Sequence, residues 1–338
     1  MFILKFSQSL KKRLKKNLFL NLTKKMKLGK KRNILLYAVF LLTSTIAYLS
    51  YKHAANQIRS QIKQNTSLTE LPDKLTEILA NKMRKSPLIF IGGYARSGTT
   101  LMRAILDVHP SVSCGPETKI IPAVLKYIKD FKSRQSEMKA FKEAGFKNDT
   151  LDSALSLFVY FIMENHIRKS ERLCAKDPDV LKYMEFLHKQ FPEAKFVYMV
   201  RDVAYSMVKK LETEVTFQNF LSYFITWNNY NSVVYEQCVK IGKEHCMMVK
   251  YEDLVIKSKQ TVMSVAQFLD LTWSEDFLSH EKYVGSKIAV SESEWSTDQI
   301  KNPIYTKSVD GWKGKIEGYD RFRVKLVDRM LETFGYVF

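Results

Sequence analysis

The sequence is poor in the residues that build metal centres. Its 338 residues include four cysteines and six histidines, with no C-x-x-C pair and no H-x-x-x-H spacing. No zinc ribbon or zincin-type centre is indicated, and no metal is expected. Internal repeats are missing, and so is any low-complexity tract beyond the basic N-terminus, which argues against a solenoid or a low-complexity chain. Residues 1–33 lack Asp and Glu but hold twelve Lys and Arg. The other 305 residues hold 42 basic and 35 acidic side chains, so they contribute +7 of the formal +19. Much of the basic character therefore sits in a tail, and total charge is no argument for a nucleic-acid partner; none is expected.

Residues 34–51 lack charge altogether. Eighteen uncharged residues lie near the short limit for crossing a bilayer. Tyr37, Tyr48 and Tyr51 sit near the ends of the run, as interfacial aromatics do. Lys24, Lys25, Lys27, Lys30, Lys31 and Arg32 precede it, and only Lys52 follows closely. This asymmetry predicts a cytosolic N-terminus and a chain that continues across the membrane. The run exceeds a typical signal-peptide core and no A-x-A site follows it, so a retained single-span anchor is expected. Met26 is an alternative start, because Met26–Arg32 alone supplies the basic flank.

The four cysteines, Cys114, Cys174, Cys238 and Cys246, all follow the span. An even count on an oxidising side suggests disulfides, and sequence alone leaves the three possible pairings open. Two glycosylation sequons, Asn65-Thr-Ser67 and Asn148-Asp-Thr150, lie on the same side. The expected organisation is a basic cytosolic tail (1–33), a transmembrane signal anchor (34–51), a polar stem (52–85) and a single domain (86–338). Within that domain Leu88–Ile91, Lys195–Val200 and Cys246–Tyr251 read as buried strands. Glu117–Lys129, Leu151–Arg168, Phe217–Val239, Gln260–Leu269 and Arg321–Phe334 read as helices. Strands alternating with helices predict an α/β domain with a central parallel sheet flanked by helices.

The first strand runs into Gly93-Tyr-Ala-Arg-Ser-Gly-Thr-Thr100. Its G-x-x-x-x-G-T-T spacing is that of a nucleoside-triphosphate loop without the lysine, whose place Thr99 takes. Such a loop turns amides and a helix N-terminus toward an anion. Losing the lysine disfavours ordinary ATP or GTP chemistry and favours another anionic nucleotide. A second polar segment, Arg201-Asp-Val-Ala-Tyr-Ser206, also ends a strand, and two such segments can hold the two ends of one nucleotide.

The loop continues into Leu101-Met-Arg-Ala-Ile-Leu-Asp-Val-His-Pro110 and Cys114-Gly-Pro-Glu-Thr-Lys-Ile-Ile-Pro122. With Leu173-Cys-Ala-Lys-Asp-Pro178, Val200-Arg-Asp202 and Ser296-Thr-Asp-Gln299, this run resembles the tyrosylprotein sulfotransferases, membrane-anchored Golgi enzymes that sulfate tyrosines of secreted proteins. The resemblance spans residues 87–338. It implies a P-loop-like sulfotransferase fold behind a single transmembrane helix, in a type II Golgi membrane protein with its catalytic domain in the lumen. The implied donor is 3′-phosphoadenosine 5′-phosphosulfate, and no metal is needed.

By the same resemblance Arg96, Ser97, Gly98, Thr99 and Thr100 cradle the 5′-phosphosulfate. Glu117 matches the general base; a tyrosine hydroxyl has a pKa of about 10, so it needs a positioned carboxylate. Lys176 matches the cation that stabilises the bridging oxygen as the bond to sulfur breaks. Arg201, Ser206 and Lys210 match the 3′-phosphate site, Lys210 standing where the family has arginine. Tyr251, Ser296, Thr297, Asp298, Gln299 and Lys301 match further nucleotide contacts, Ser296 also lying near the reacting groups. Lys119 matches an acceptor contact. The implied disulfides are Cys114–Cys174 and Cys238–Cys246, and the implied partners are acidic tyrosine-containing proteins and a second copy of the chain.

Several positions depart from the family pattern. Ala95 replaces Pro, Pro116 an acidic residue, Asp179 a Phe and Gly311 a lysine, while Lys119 and Ala123 stand at arginine positions. The stretch after Arg201-Asp202 is shorter than usual. The donor loop, base and lysine are kept and the acceptor side is altered. Alternative readings are a carbohydrate sulfotransferase, which the C-G-x-E-T run and second cysteine pair argue against, and a non-catalytic relative that binds donor or peptide. A P-loop kinase would have Asp202 as its only plausible magnesium ligand.

Overall fold

The computed structural model describes residue 52 and residues 71–165, 168–204, 206, 217–292, 294, 296–306, 309 and 329–336. The basic tail, the expected span, most of the stem with Asn65, Lys210 and Gly311 lie outside the described residues. Among the described residues no helix is long and apolar enough to cross a membrane. In chain order the elements are α1 (Leu71–Arg84), β1 (Ile89–Gly93), α2 (Thr99–Asp107), β2 (Val112–Ser113), α3 (Ile120–Ser133), α4 (Gln135–Glu143), α5 (Thr150–Glu164), β3 (Arg172–Lys176), α6 (Met184–Gln190), β4 (Lys195–Val200), α7 (Phe217–Ile241), β5 (Cys246–Lys250), α8 (Tyr251–Ile256), α9 (Ser258–Phe268), α10 (Thr297–Ile300) and α11 (Arg329–Thr333).

The five strands form one sheet in the order β2-β3-β1-β4-β5, and every pairing is parallel. The chain leaves β1 toward β2 and leaves β4 toward β5. The order therefore reverses between β1 and β4, where doubly wound sheets bind ligands. Alternation along β1 separates two cores. Ile89 and Ile91 join Met102, Ile105, Val197, Met199 and Leu254 on one face. Phe90 points to the other, its ring centroid 5.3 Å from that of Phe196. There α7 packs with Phe220, Trp227 and Val234 buried at helical spacing. Each such side chain contributes about 1.5–3 kcal/mol through the apolar area it removes from water.

The expected strands at Leu88–Ile91, Lys195–Val200 and Cys246–Tyr251 correspond to β1, β4 and β5. Two edge-side strands, β2 and β3, have no counterpart in the sequence reading. β2 has two residues, and Arg172-Leu-Cys-Ala-Lys176 carries a cation at each end. The helix expected from Glu117 starts instead at Ile120. Lys119 before it takes a left-handed φ of 58°, and the preceding amides of Cys114 and Gly115 donate to Asp107 at 2.8 and 3.2 Å. The Glu117 segment is a pinned loop rather than a helical turn.

Both expected disulfides are formed. Cys114–Cys174 ties the loop after β2 to β3, and Cys238–Cys246 ties the end of α7 to the start of β5.

Candidate active site

The turn between β1 and α2 is shaped by backbone crowding. A Cβ on Gly93 would lie 2.2 Å from the Met199 carbonyl oxygen. Gly98, at φ 96°, begins α2, and a Cβ there would meet the Tyr251 ring at 2.4 Å. Glycine at position 98 thus satisfies a left-handed backbone and a close approach together. The first turn of α2 has no acidic residue and no side-chain cap, leaving it suited to an external anion. Thr99 and Thr100 line a cavity of about 280 Å³ together with Arg96, Glu117, Arg201 and Tyr251. Ser97 Oγ, also in this turn, is buried with no hydrogen-bond partner among the described residues.

Arg201 closes the carboxyl end of β4. Its guanidinium lies 3.4 Å from the Tyr251 ring centroid and donates to the Arg96 carbonyl at 3.2 Å. The Trp227 indole N–H donates to the Arg201 carbonyl at 3.2 Å, fixing the strand end against α7. Ser206 Oγ is fully buried and finds no partner among the described residues. Two orphaned hydroxyls, one after β1 and one after β4, flank the switch point, and each is a donor held ready for an oxygen-rich ligand.

A row of charged side chains runs from Glu117 and Glu294 on the cavity into the buried interior. Lys176, the last residue of β3, is 3.1 Å from Glu117 Oε2, 2.8 Å from Glu294 Oε1 and 3.5 Å from Thr100 Oγ1. Glu294 also accepts the Glu117 backbone N–H at 2.5 Å and pairs with the buried Arg103 at 3.1 Å. Burial pushes the Glu294 carboxyl up, but Lys176, Arg103 and the Glu117 amide outweigh this and hold it below the ordinary carboxylate range. Beside Lys176, burial and then the charge of Glu117 push Asp177 up to about 7.

The structure brings together Arg96, Gly98, Thr99, Thr100, Glu117, Arg201, Tyr251, Ser296 and Gln299 around the cavity, with exposed Lys119 at its edge. Ser296 Oγ accepts from Arg96 Nη1 at 2.7 Å, tying the segment after Ala289 to the loop. Thr297, Asp298 and Lys301 do not line it. Thr297 donates to the Ser291 carbonyl, and Asp298 pairs with Lys301 in solvent. Sequence reasoning missed Arg103, Glu294 and Tyr305. Arg103 had a detectable signal: with Asp107 it places opposite charges four apart in an otherwise apolar helix.

A parallel sheet with an uncapped anion loop at its switch point is a frame for an anionic nucleotide, and residues 87–275 match the Sulfotransferase family. A sulfotransferase domain of the Synechococcus PCC 7002 olefin synthase superposes with a TM-score of 0.50 at 18% identity, covering 68% of this chain and 88% of that one, a likeness of fold. The chain is 36% identical over 291 residues to the protein-tyrosine sulfotransferase of Drosophila melanogaster, a match covering 84% of the chain and 58% of that relative. It is 36% identical over 323 residues to protein-tyrosine sulfotransferase 1 of Homo sapiens, covering 90% of the chain and 87% of the relative. The chain belongs to the protein-tyrosine sulfotransferase family.

Proposed function

We propose that this protein transfers a sulfuryl group from 3′-phosphoadenosine 5′-phosphosulfate to tyrosine hydroxyls in acidic segments of secretory or membrane proteins, from the lumenal side of the Golgi membrane. The observation that carries the reading is that Glu117, paired with the buried Lys176 at 3.1 Å, lines the same cavity as the uncapped loop residues Arg96, Gly98, Thr99 and Thr100. One carboxylate and one cation suit the two proton and charge demands of the transfer.

The donor supplies an activated sulfuryl group. The residues present fit it: α2 offers amides and two threonine hydroxyls, and Ser97 and Ser206 offer buried hydroxyls without protein partners. Arg201, stacked on Tyr251, would take the 3′-phosphate. Lys176, 3.5 Å from Thr100 Oγ1, would supply the cation for negative charge growing on a departing oxygen. Glu117 lies on the cavity wall, only partly buried, where a phenol proton can be taken by Oε2 or Oε1. Exposed Lys119 offers a cation to an acidic acceptor.

The test uses the full chain solubilised from membranes, radiolabelled phosphosulfate donor and a short acidic tyrosine peptide. Label is expected on the peptide and not on its Tyr→Phe counterpart. Glu117→Ala should lower kcat by roughly 10²–10⁴-fold while sparing donor binding. Donor binding without transfer to any tyrosine peptide would overturn the acceptor assignment, and near-normal turnover in Glu117→Ala would overturn the base.

A further inference from the structure

Glu294 has no role in the scheme above, yet it touches Lys176, the Glu117 amide and Arg103 at once. Its side chain is 2% exposed. One oxygen, Oε1, accepts from Lys176 Nζ at 2.8 Å and from the Glu117 backbone N–H at 2.5 Å. The other, Oε2, accepts from Arg103 Nη2 at 3.1 Å. Arg103 is fully buried; its Nη1 donates to the Ala289 carbonyl at 2.7 Å and stands 3.6 Å from Asp107 Oδ2. Asp107 in turn receives the amides of Cys114 and Gly115, the start of the Glu117 loop. The chain of contacts closes on itself: α2, the Glu117 loop, the end of β3 and the segment carrying Ser296 meet at one carboxylate.

We propose that Glu294 is a positioning residue of sulfuryl transfer, its Oε1 holding the donor-side cation Lys176 and the acceptor-side loop of Glu117 in one fixed register. The inference rests on the assignment of Lys176 and Glu117 given above. Its physical basis is competition for the ammonium. Lys176 sits between two carboxylates, and removing the charge of Glu294 leaves Glu117 as the only carboxylate within ion-pair distance among the described residues. The ammonium is then drawn onto the base, away from the leaving oxygen, and the Glu117 amide loses a charged acceptor. Reacting groups displaced by about 1 Å typically lose on the order of 10²-fold in rate. A carboxylate that served only to neutralise Arg103 would have no reason to spend its other oxygen on the two reacting segments.

Glu294→Gln keeps the shape and removes the charge. The expected result is a kcat lowered by roughly 10²-fold, with donor affinity, measured by calorimetry, changed less than about threefold. A double-mutant cycle supplies the reading that a structural role would not move. If Glu294 acts through Lys176 as well as through the Glu117 loop, Lys176→Ala combined with Glu294→Gln should lose clearly less than the product of the two single losses. Additive losses, or equal losses of kcat and donor binding, would overturn the proposal. Should Glu294→Gln fail to fold, Glu294→Asp keeps the charge but withdraws it from Lys176, and the same kcat loss and the same non-additivity are expected. Normal turnover in Glu294→Gln, with Lys176→Ala and Glu117→Ala dead, overturns the positioning role alone. Normal turnover in Lys176→Ala or Glu117→Ala overturns the assignment beneath it.

Discussion

Asp177 shows how one residue of the site couples pH to stability. It follows Lys176, is 6% exposed, and accepts the Asp179 amide at 3.2 Å through Oδ1. Oδ2 has no partner among the described residues. Burial first, and the nearby Glu117 charge second, raise it from 3.8 to about 7. A carboxyl whose pKa rises on folding binds its proton more tightly in the native state. Between pH 3.8 and about 7 the native state holds a proton that the unfolded chain has released, so stability falls as pH rises through this window and levels off above it. Asp177→Asn keeps the bond to the Asp179 amide and cannot ionise. Thermal melts of the variant between pH 4 and 8 should lose this downward slope, and the variant should be the more stable of the two at pH 8. An unchanged slope would place the titration elsewhere.

At the scale of elements, the site depends on a loop and a strand end, and the sheet holds only the second by itself. The Glu117 loop follows a two-residue strand, and Lys176 ends a five-residue one. Cys114–Cys174 joins them, three residues before Glu117 and two before Lys176, across a separation of 60 residues. Cys238–Cys246 closes a separation of eight, at the far end of β5 from the cavity. On chain entropy alone the first bond is worth about 4 kcal/mol and the second about 2.5 kcal/mol. Replacing Cys114 and Cys174 by alanine should therefore lower Tm more than replacing Cys238 and Cys246. It should also lower kcat where the second pair leaves it within a few-fold, as melting curves and turnover on the same preparations would show. Equal effects on kcat would mean that Asp107, which holds the Cys114 and Gly115 amides, suffices to fix the loop. The strands legible in the sequence were those with a continuous apolar run, buried on both faces in β1 and β4 and only partly buried in edge strand β5. β3 was illegible as a strand, since its charged ends serve the site: Lys176 reaches Glu294, and Arg172 donates to the carbonyls of Pro87 and Leu269. The loop motif was legible because anion binding needs glycine at fixed backbone positions. Glu294 was not, because nothing local distinguishes a carboxylate that meets partners 118 and 191 residues away.

For the whole molecule, charge, hydropathy and redox chemistry divide at the same place. Twelve basic residues lie in 1–33, the uncharged run occupies 34–51, and every acidic residue, from Glu70 on, and every cysteine follow it. Those cysteines are all paired, and disulfides persist where the surroundings are oxidising, which supports a lumenal catalytic domain. Asn148, exposed before α5, offers a topology marker on the same side. Translated with microsomes, the full chain should resist carbonate extraction. It should also yield a protease-protected fragment containing the domain, which shortens on removal of N-glycans and no longer does so in Asn148→Gln combined with Asn65→Gln. Deleting residues 34–51 should abolish protection. Complete digestion of the unaltered chain would instead place the domain on the cytosolic side. There the positive-inside asymmetry would have been misread, and the two disulfides would face a reducing pool.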